Sequence, residues 1–335
     1  MSSYQLNEVF KNLSLDAKCV NFYSTSSSNF YDVELGNSIT IDKFISLNKD
    51  LQFRIKSPNT LYLKVIPEKG VVRIQDLKKS ESNHNFMDNI SKMSKEDISI
   101  ILGKDYEDNL LVSDFTAHPH TLMAGTTGSG KSIALHNIIC NALFNQNIDI
   151  FLSDPKKVEF SIYENLNSVK SIASSYDENV KLFQYLDRLM DQRFKIMNML
   201  KVNNYKKIIS FNPILVVIDE LSDLILQDKK NIFKDSLLKI CQKSRAAGIF
   251  IVAATQRPSV DVLSGLIKAN FPARIALKTA SPIDSKVILD EVGAESLQGG
   301  GDAIIKNHQY SSLRFKFPFI DPVEVVKKLN ENIQS

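Results

Sequence analysis

Residues 125–132 have the composition and spacing of a loop that holds phosphate groups. They read G-T-T-G-S-G-K-S, which fits the pattern G-x-x-x-x-G-K-[ST]. Glycines let the backbone curl with its N–H groups turned inward, so that several weak donors converge on the oxygens of a polyphosphate. In such a loop the lysine reaches the β- and γ-phosphates, and the last hydroxyl ligates Mg²⁺. The predicted nucleotide-binding residues are Gly125, Thr126, Thr127, Gly128, Ser129, Gly130, Lys131 and Ser132.

The flanking residues favour this interpretation over a Gly/Ser-rich surface turn, which is the alternative. Residues 121–124 are a short apolar run suited to a buried strand, and residues 133–144 carry apolar side chains at helical spacing. A phosphate loop requires the order strand, loop, helix, because this order points the positive end of the helix at the anion.

An acidic pair, Asp219 and Glu220, directly follows the β-branched run 214–218. An aspartate at the end of a buried strand can hold the Mg²⁺ that Ser132 ligates, and the next glutamate can polarise a water for in-line attack on the γ-phosphate. Acidic residues are also common in turns, and the phosphate loop upstream is what favours the catalytic interpretation. The sequence therefore predicts ATP and Mg²⁺ as cofactors.

Gln256 follows another apolar run, residues 249–254. At the end of a strand beside the γ-phosphate, a glutamine can sense hydrolysis. A polar turn closed by Pro258 is an equal alternative at this stage.

Length and composition bound the class of protein. The 335 residues exceed the usual size of one domain, and a hydrophobic fraction of 43% permits a full core. Lysine and arginine exceed the acids by only 41 to 38, so a nucleic-acid partner must be argued from local sites. Three cysteines without metal-ligand spacing suit a reducing compartment. No apolar stretch reaches the length of a membrane span, and no signal peptide is visible, so we expect a soluble, cytoplasmic protein without a membrane partner.

The hydrophobic pattern predicts two domains. Residues 1–30 give no clear prediction, whereas 41–53 have mostly helical spacing, and 60–66 and 71–74 resemble strands. Residues 78–95 are polar and make the best linker in the chain. We therefore predict a small N-terminal α/β domain at 1–96 and a larger domain at 97–335.

The larger domain alternates strands with helices. Short apolar runs at 148–152, 214–218, 249–253 and 274–277 are separated by helical stretches such as 179–200 and 233–247. This alternation predicts an α/β fold with a mostly parallel central sheet covered by helices. Ligands of such sheets bind at the carboxyl ends of the strands, where the residues singled out above lie.

Nine segments closely resemble the motor domain of the FtsK/SpoIIIE DNA translocases. The likeness is dense from about Leu102 to Asp302, and the segment 254–270 is specific to that family, whereas the phosphate loop is not. The segments are residues 125–132, 154–156, 217–224, 244–248, 254–261, 265–270, 283–285, 293–295 and 299–302.

The resemblance implies a RecA-like ATPase that forms a ring, usually a hexamer, and threads double-stranded DNA through its channel. Arg245 resembles the arginine finger that reaches the γ-phosphate of the neighbouring subunit. The residues permit this role, because a helix at 233–247 stopped by Gly248 would expose Arg245 in its last turn. The alternative is that Arg245 only complements the helix dipole.

The family's DNA-contacting loops correspond to Arg257, Lys268 and the stretch around Lys286. Cations spaced along two loops grip phosphates without reading bases, which suits a motor that must cross any sequence. A solvated surface charge is the alternative for each lysine. Pro282 and Lys286 replace a lysine and an arginine of the family pattern, so we expect the second loop to grip more weakly.

Three functions remain open on the sequence. A DNA-translocating ATPase leads, a conjugative coupling or genome-packaging ATPase is second, and a non-catalytic ATP-binding module or small-molecule kinase is third. Glu220 argues against a module that only binds ATP, and segment 254–270 argues against a kinase. Neither a membrane anchor nor the family's winged-helix module is visible, so we expect a bare motor whose direction a protein partner would set.

Overall fold

The computed structural model describes residues 2–59, 61–78, 85–88, 99–144 and 147–334. The chain divides into two compact units. The smaller contains Met1–Asn83 with Lys104–Asn109 and Ser296–Gln298, and the larger contains the rest. Most of the predicted linker, and the boundary near residue 96, lie outside the described residues, so that boundary stays a prediction.

Fourteen strands and ten α-helices occur among the described residues. The strands are β1 (Ala17–Ser24), β2 (Ser28–Leu35), β3 (Tyr62–Ile66), β4 (Val71–Leu77), β5 (Ser99–Asp105), β6 (Leu110–Asp114), β7 (His120–Ala124), β8 (Asp149–Ser153), β9 (Val169–Ala173), β10 (Ile214–Ile218), β11 (Ile249–Thr255), β12 (Ala273–Leu277), β13 (Asp302–Lys306) and β14 (Leu313–Lys316). The helices are α1 (Ser3–Asn12), α2 (Ile41–Ser46), α3 (Asn48–Ile55), α4 (Lys131–Phe144), α5 (Tyr176–Met199), α6 (Leu221–Gln227), α7 (Ile232–Lys243), α8 (Gly265–Ala269), α9 (Pro282–Leu289) and α10 (Pro322–Gln334).

The smaller unit is an antiparallel sheet covered by helices. Its strands lie in the order β1-β2-β4-β3, and every neighbouring pair is antiparallel. Apolar side chains from α1, α2 and α3 pack with those of the sheet in one core, to which the fully buried Phe10, Phe44 and Leu51 belong. The mixed helix-and-strand character agrees with the prediction for this part of the chain.

The larger unit is built on a ten-stranded sheet. Its order is β6-β5-β14-β13-β12-β7-β11-β10-β8-β9, and the six strands from β12 to β9 pair in parallel. β12, β13 and β14 pair antiparallel. The mostly parallel sheet predicted from the sequence is therefore confirmed.

The central strands are buried on both faces because helices cover both. Every residue of β10 and β11 is buried. Alternate residues, such as Val217 and Val252, join a core cluster with Leu135 and Ile138 of α4. The residues between them point to the opposite face, where α5 and α7 pack. This double coverage explains why these strands read as continuous apolar runs.

Three local predictions differ from the structure. Residues 1–30, which gave no prediction, form α1, β1 and the first three residues of β2. The helical stretch 41–53 is two helices, because the chain bends at Leu47. The helix predicted at 233–247 ends at Lys243, so Arg245 lies in the turn after α7 and not in its last turn.

Gly248 belongs to the turn into β11 and does not stop α7. Its φ of 76° lies in the left-handed region, and its N–H donates to the carbonyl of Arg245 at 3.2 Å. A Cβ at this position would lie 2.6 Å from the ring of Tyr205. Glycine is therefore required here by both the backbone and the space available.

No helix among the described residues combines the length and the apolar character needed to span a bilayer.

We predict that His120, in the strand that leads into the phosphate loop, lowers stability at acid pH. Its Nδ1 accepts the N–H of Ile251 at 3.2 Å, so the ring must be neutral, and burial lowers the pKa of His120 to about 3. The unfolded chain binds a proton near pH 6.5, whereas the folded chain does not. Through this residue, the free energy of unfolding therefore falls by about 1.3 kcal/mol between pH 7 and pH 5.5.

Urea unfolding at the two pH values measures this loss. Other groups titrate too, so the comparison is between the chain and its His120→Asn variant. Between pH 7 and pH 5.5, the free energy of unfolding of the variant should fall by about 1.3 kcal/mol less than that of the unsubstituted chain. Equal losses in both proteins would contradict the assignment.

Candidate functional site

The residues predicted to act on nucleotide come together at one edge of the parallel sheet. The phosphate loop directly follows β7, Asp154 follows β8, Asp219 follows β10, and Gln256 follows β11. Register pairs Ile218 with Ser153 and Ala253, so these ends are level with one another. The carboxyl ends of the strands thus form the site, as expected for this type of sheet.

Two glycines of the phosphate loop are required by its geometry. Gly128 and Gly130 have φ angles of 78° and 98°, which side-chain-bearing residues rarely adopt. A Cβ on Gly130 would lie 2.2 Å from the backbone N of Gly301. That N–H donates to the carbonyl of Ser129 at 3.0 Å. At Gly130 the loop therefore packs so closely against residues 299–301 that no larger residue fits there.

The loop opens directly into α4, whose fourteen residues begin at Lys131. The first N–H groups of a helix have no helical partners, and they lie at the positive end of its dipole. The Thr126 N–H donates to the carbonyl of Lys278 at 2.9 Å, which fixes the start of the loop. Unpaired donors held in a fixed curve are suited to binding phosphate.

Lys131 reaches from this helix to the end of β10. Its ammonium donates to the carbonyl of Asp219 at 2.7 Å and also to the Asp219 carboxylate. Both side chains are almost completely buried. Burial raises the pKa of Asp219, Lys131 opposes the shift, and the charges of Glu159 and Glu220 add to it. The site thus concentrates negative charge around one buried cation.

Glu220 is held by three donors. Its Oε1 accepts the hydroxyls of Thr255 at 2.6 Å and Ser222 at 2.7 Å. The N–H of Gln256 lies 3.0 Å from Oε2, and the Lys156 ammonium lies 4.0 Å from the same oxygen. The carboxylate is therefore fixed in orientation, and Oε2 keeps a lone pair for a further donor.

Gln256 connects Glu220 to the phosphate loop. Its backbone holds Glu220, while its side-chain oxygen accepts the hydroxyl of Thr127 at 3.1 Å. The structure thus brings together Lys131, Asp219, Glu220 and Gln256, and the sequence prediction that these residues share one site agrees with their positions.

A sequence profile of the FtsK/SpoIIIE family matches residues 84–212 and 205–260. The two matched ranges together span more than half of the 335 residues. The chain belongs to the FtsK/SpoIIIE family.

Two relatives carry the name "DNA translocase FtsK". The protein from Streptomyces avermitilis is 33% identical over 329 residues, which cover 89% of this chain and 36% of the relative. The protein from Leptospira interrogans is 32% identical over 357 residues, which cover 98% of this chain and 37% of the relative. The chain therefore spans little more than a third of the length of these relatives.

A solved structure shares the fold along the whole chain. It is the pCW3 conjugation coupling protein TcpA, in a monomer form with ATPγS, with a TM-score of 0.71 and 22% sequence identity over 99% of both chains. At this identity the likeness supports the fold alone, and it agrees with the RecA-like prediction.

In this member of the FtsK/SpoIIIE family, Arg245 lies apart from the other predicted catalytic residues. It precedes β11, whereas Gln256 follows β11, and this strand has seven residues. At about 3.3 Å per residue the two ends of β11 lie about 20 Å apart. Arg245 donates instead to the carbonyl of Thr116 at 2.8 Å. It therefore cannot reach the phosphate loop of its own chain.

The three predicted DNA contacts differ in their surroundings. Arg257 and Lys286 are exposed, and neither forms an ion pair with any described residue. Lys268 pairs with Asp290 at 2.5 Å, and Arg274 pairs with the same carboxylate. The charge of Lys268 is therefore partly neutralised within the chain, which its position in the sequence did not reveal.

Sequence reasoning missed three residues that shape these sites. Thr255 holds Glu220, Glu159 accepts the hydroxyl of Ser132 at 2.8 Å, and Asp290 neutralises cations. Thr255 lies at a strand end beside Gln256, which was a usable signal. Glu159 and Asp290 follow no motif, because only the folded chain brings them to their partners.

Proposed function

We propose that the chain is the motor of a ring-forming ATPase that hydrolyses ATP with Mg²⁺ and moves along double-stranded DNA. The observation that carries the proposal is the contact set at the end of β11, where Thr255 and Gln256 join Glu220 to the phosphate loop. Membership of the FtsK/SpoIIIE family and relatives named DNA translocases support the same function.

The residues of the site fit a nucleotide with its metal. The glycine cradle and the start of α4 suit phosphate oxygens, and Lys131 supplies the cation. Ser132 and Asp219 are oxygen donors, as Mg²⁺ prefers. Mg²⁺ takes most of its ligands from phosphates and water, so one or two protein donors suffice. When bound, Mg²⁺ neutralises charge that develops on the phosphate oxygens.

Glu220 is the residue that orients the attacking water. Its Oε1 accepts two hydroxyls, so Oε2 is the atom with capacity to accept a proton from water. The side-chain amide of Gln256 lies against Thr127 and can report the state of the phosphate loop. Glutamate and glutamine therefore act from two neighbouring strand ends.

The same strand end supports coupling between DNA and hydrolysis. The Thr255 hydroxyl donates to Glu220 and accepts the backbone N–H of Arg257 at 3.0 Å. A DNA phosphate bound by the exposed Arg257 side chain would therefore be linked to the water-orienting carboxylate through the Arg257 backbone and two hydrogen bonds. This contact supports a motor whose ATP turnover rises when duplex DNA binds.

The position of Arg245 supports assembly into a homo-oligomer. It lies at the opposite edge of the sheet from its own phosphate loop, so any action on a γ-phosphate must occur in a neighbouring copy. A head-to-tail ring, such as a hexamer, supplies one such arginine to every site.

We predict that two substitutions in the site affect different steps, ATP binding and ATP hydrolysis. Lys131→Ala removes the cation that meets the phosphates and should weaken ATP affinity by about 10- to 100-fold. Glu220→Gln keeps the size and the hydroxyl donors but cannot orient water as a base, so it should keep ATP affinity and lower kcat by about 10²- to 10⁴-fold. ATP binding and hydrolysis, each with and without linear duplex DNA, measure both effects.

Two outcomes of this experiment would contradict the proposal at different levels. Normal turnover in Glu220→Gln would remove the hydrolysis assignment. Hydrolysis by the unsubstituted chain that duplex DNA does not accelerate would leave an ATPase but would overturn DNA translocation, in favour of a related motor with other cargo.

We predict that Arg245→Ala lowers kcat by about 10³-fold or more with little change in ATP affinity. Mixing it with the Glu220→Gln chain should restore part of the activity, because some sites then combine an intact Glu220 with an intact Arg245 of a neighbour. Arg188→Ala, which changes an exposed arginine on α5, is the control and should keep full activity. Mixed rings without recovered activity would argue against action between subunits.

We predict unequal contributions to DNA binding from the three cations. The logarithm of the affinity falls with the logarithm of salt concentration by about 0.9 per phosphate contact. Arg257→Ala and Lys286→Ala should each make this slope less steep by about 0.9, which corresponds to one phosphate contact. Lys268→Ala should change it less, because Asp290 already neutralises Lys268. Duplex binding measured across a salt series gives the slopes.

Asp290→Asn tests the reason for this difference. It frees Lys268 and Arg274, so it should strengthen DNA binding and steepen the salt dependence. Asparagine tolerates the φ of 63° at this position, so the backbone should keep its shape. Lys195→Ala, an exposed lysine on α5, removes one charge as a control. Equal slopes for the four alanine variants, that of the Lys195 control included, would show that the contacts are not where we place them.

A further inference from the structure

Two polar side chains on one face of α4, Ser132 and His136, both contact Glu159, and the mechanism above uses only Ser132 of these three residues. The Ser132 hydroxyl donates to Oε1 of Glu159 at 2.8 Å. Nε2 of His136 lies 3.5 Å from Oε2 of the same carboxylate, and Nδ1 of His136 lies 2.8 Å from the hydroxyl of Tyr163. Ser132 and His136 are four residues apart, so they share a helix face that Glu159 covers.

The backbone of Glu159 is fixed, although its side chain is 27% exposed. Oδ2 of the buried Asp154 accepts the N–H groups of Glu159 and Phe160, each at 3.0 Å. Phe160 is fully buried beside it. The loop after β8 therefore presents Glu159 to α4 in one position, which distinguishes it from a freely moving surface carboxylate.

A serine that ligates a metal through a lone pair still carries its proton, and that proton needs an acceptor. The Asp219 carboxylate is engaged with Lys131. Glu159 is the acceptor that the Ser132 hydroxyl contacts, and a hydrogen bond to an ionised carboxylate is shorter and stronger than a neutral one. Outer carboxylates that bond to metal ligands orient them and increase their basicity.

We propose that Glu159 is a positioning residue for Ser132: it accepts the hydrogen bond of the Ser132 hydroxyl, which keeps its proton, so that the oxygen lone pairs of Ser132 would face Mg²⁺. His136, itself held by Tyr163, keeps the carboxylate over the start of α4. This inference rests on the proposed nucleotide site and deepens it, because it makes metal affinity depend on a residue outside the phosphate loop and the acidic pair.

Mn²⁺ provides a probe that does not depend on turnover. The full chain is saturated with ADP, and bound Mn²⁺ is measured from the electron paramagnetic resonance of the free ion. Glu159→Gln should weaken Mn²⁺ binding by about 10- to 100-fold. ADP affinity in EDTA should stay unchanged, which a general structural defect would not allow. Glu164→Gln, an exposed carboxylate nearby in the chain, is the control and should bind Mn²⁺ normally.

A second comparison tests whether Glu159 acts through Ser132. Ser132→Ala should weaken Mn²⁺ binding. Adding Glu159→Gln to Ser132→Ala should weaken binding little further, because the hydroxyl that donates to Glu159 is already absent. Glu159→Asp keeps the charge but shortens the side chain, and it should fall between the wild type and Glu159→Gln.

The outcomes separate this inference from the function on which it rests. A wild-type chain that binds neither ADP nor Mn²⁺ would overturn the proposed function and this inference with it. A wild-type chain that binds both, with unchanged Mn²⁺ affinity in Glu159→Gln, would overturn only the role of Glu159. An equal loss in the Ser132→Ala background would likewise overturn it, because Glu159 would then act independently of Ser132.

Discussion

The buried ion pair between Lys131 and Asp219 is the contact on which the arrangement of the site depends. It joins the first residue of α4 to the end of β10, although β11 lies between β7 and β10 in the sheet. Each buried charge costs several kcal/mol unless it is paired, so helix and strand end must meet in one register. The pair does not fully satisfy Asp219, whose pKa burial holds above its usual value. In the proposed nucleotide site, Lys131 would exchange Asp219 for phosphate, and Asp219 would exchange Lys131 for the metal.

Thr255 extends this arrangement from the nucleotide site to the surface. One hydroxyl donates to Glu220 and accepts from the backbone of Arg257, while the Thr255 carbonyl accepts the N–H of Gly125 at 3.2 Å. A shift of the loop after β11 must therefore strain a contact to the carboxylate or to the phosphate loop. In the proposed motor this shared residue makes hydrolysis sensitive to DNA without a separate signalling element, because close-packed contacts move together.

The parts of the fold that sequence patterns predicted are those determined by neighbouring residues. The phosphate loop follows from its glycines, and the buried strands follow from continuous apolar runs such as that of β10. Contacts between distant segments were not predictable, and the pairing of Lys268 with Asp290 is one. The end of α7 was misplaced because Ser244, Arg245 and two alanines are compatible with a helix, and the turn into β11 prevails. Residues 1–30 form ordered elements whose apolar spacing is too short to be distinctive.

The position of Arg245 did follow from the order of elements, once the strands are taken as parallel. Parallel strands begin at one edge of the sheet and end at the other, so a residue before β11 and a residue after it lie at opposite edges. A motor that needs an arginine at the phosphate and keeps it at the far edge is incomplete as a single chain. Two copies supply one complete site and leave one arginine unused, whereas a closed ring completes every site with the same interface. In the proposed motor, the need for a ring would therefore arise within the sheet of one subunit, from the length of β11.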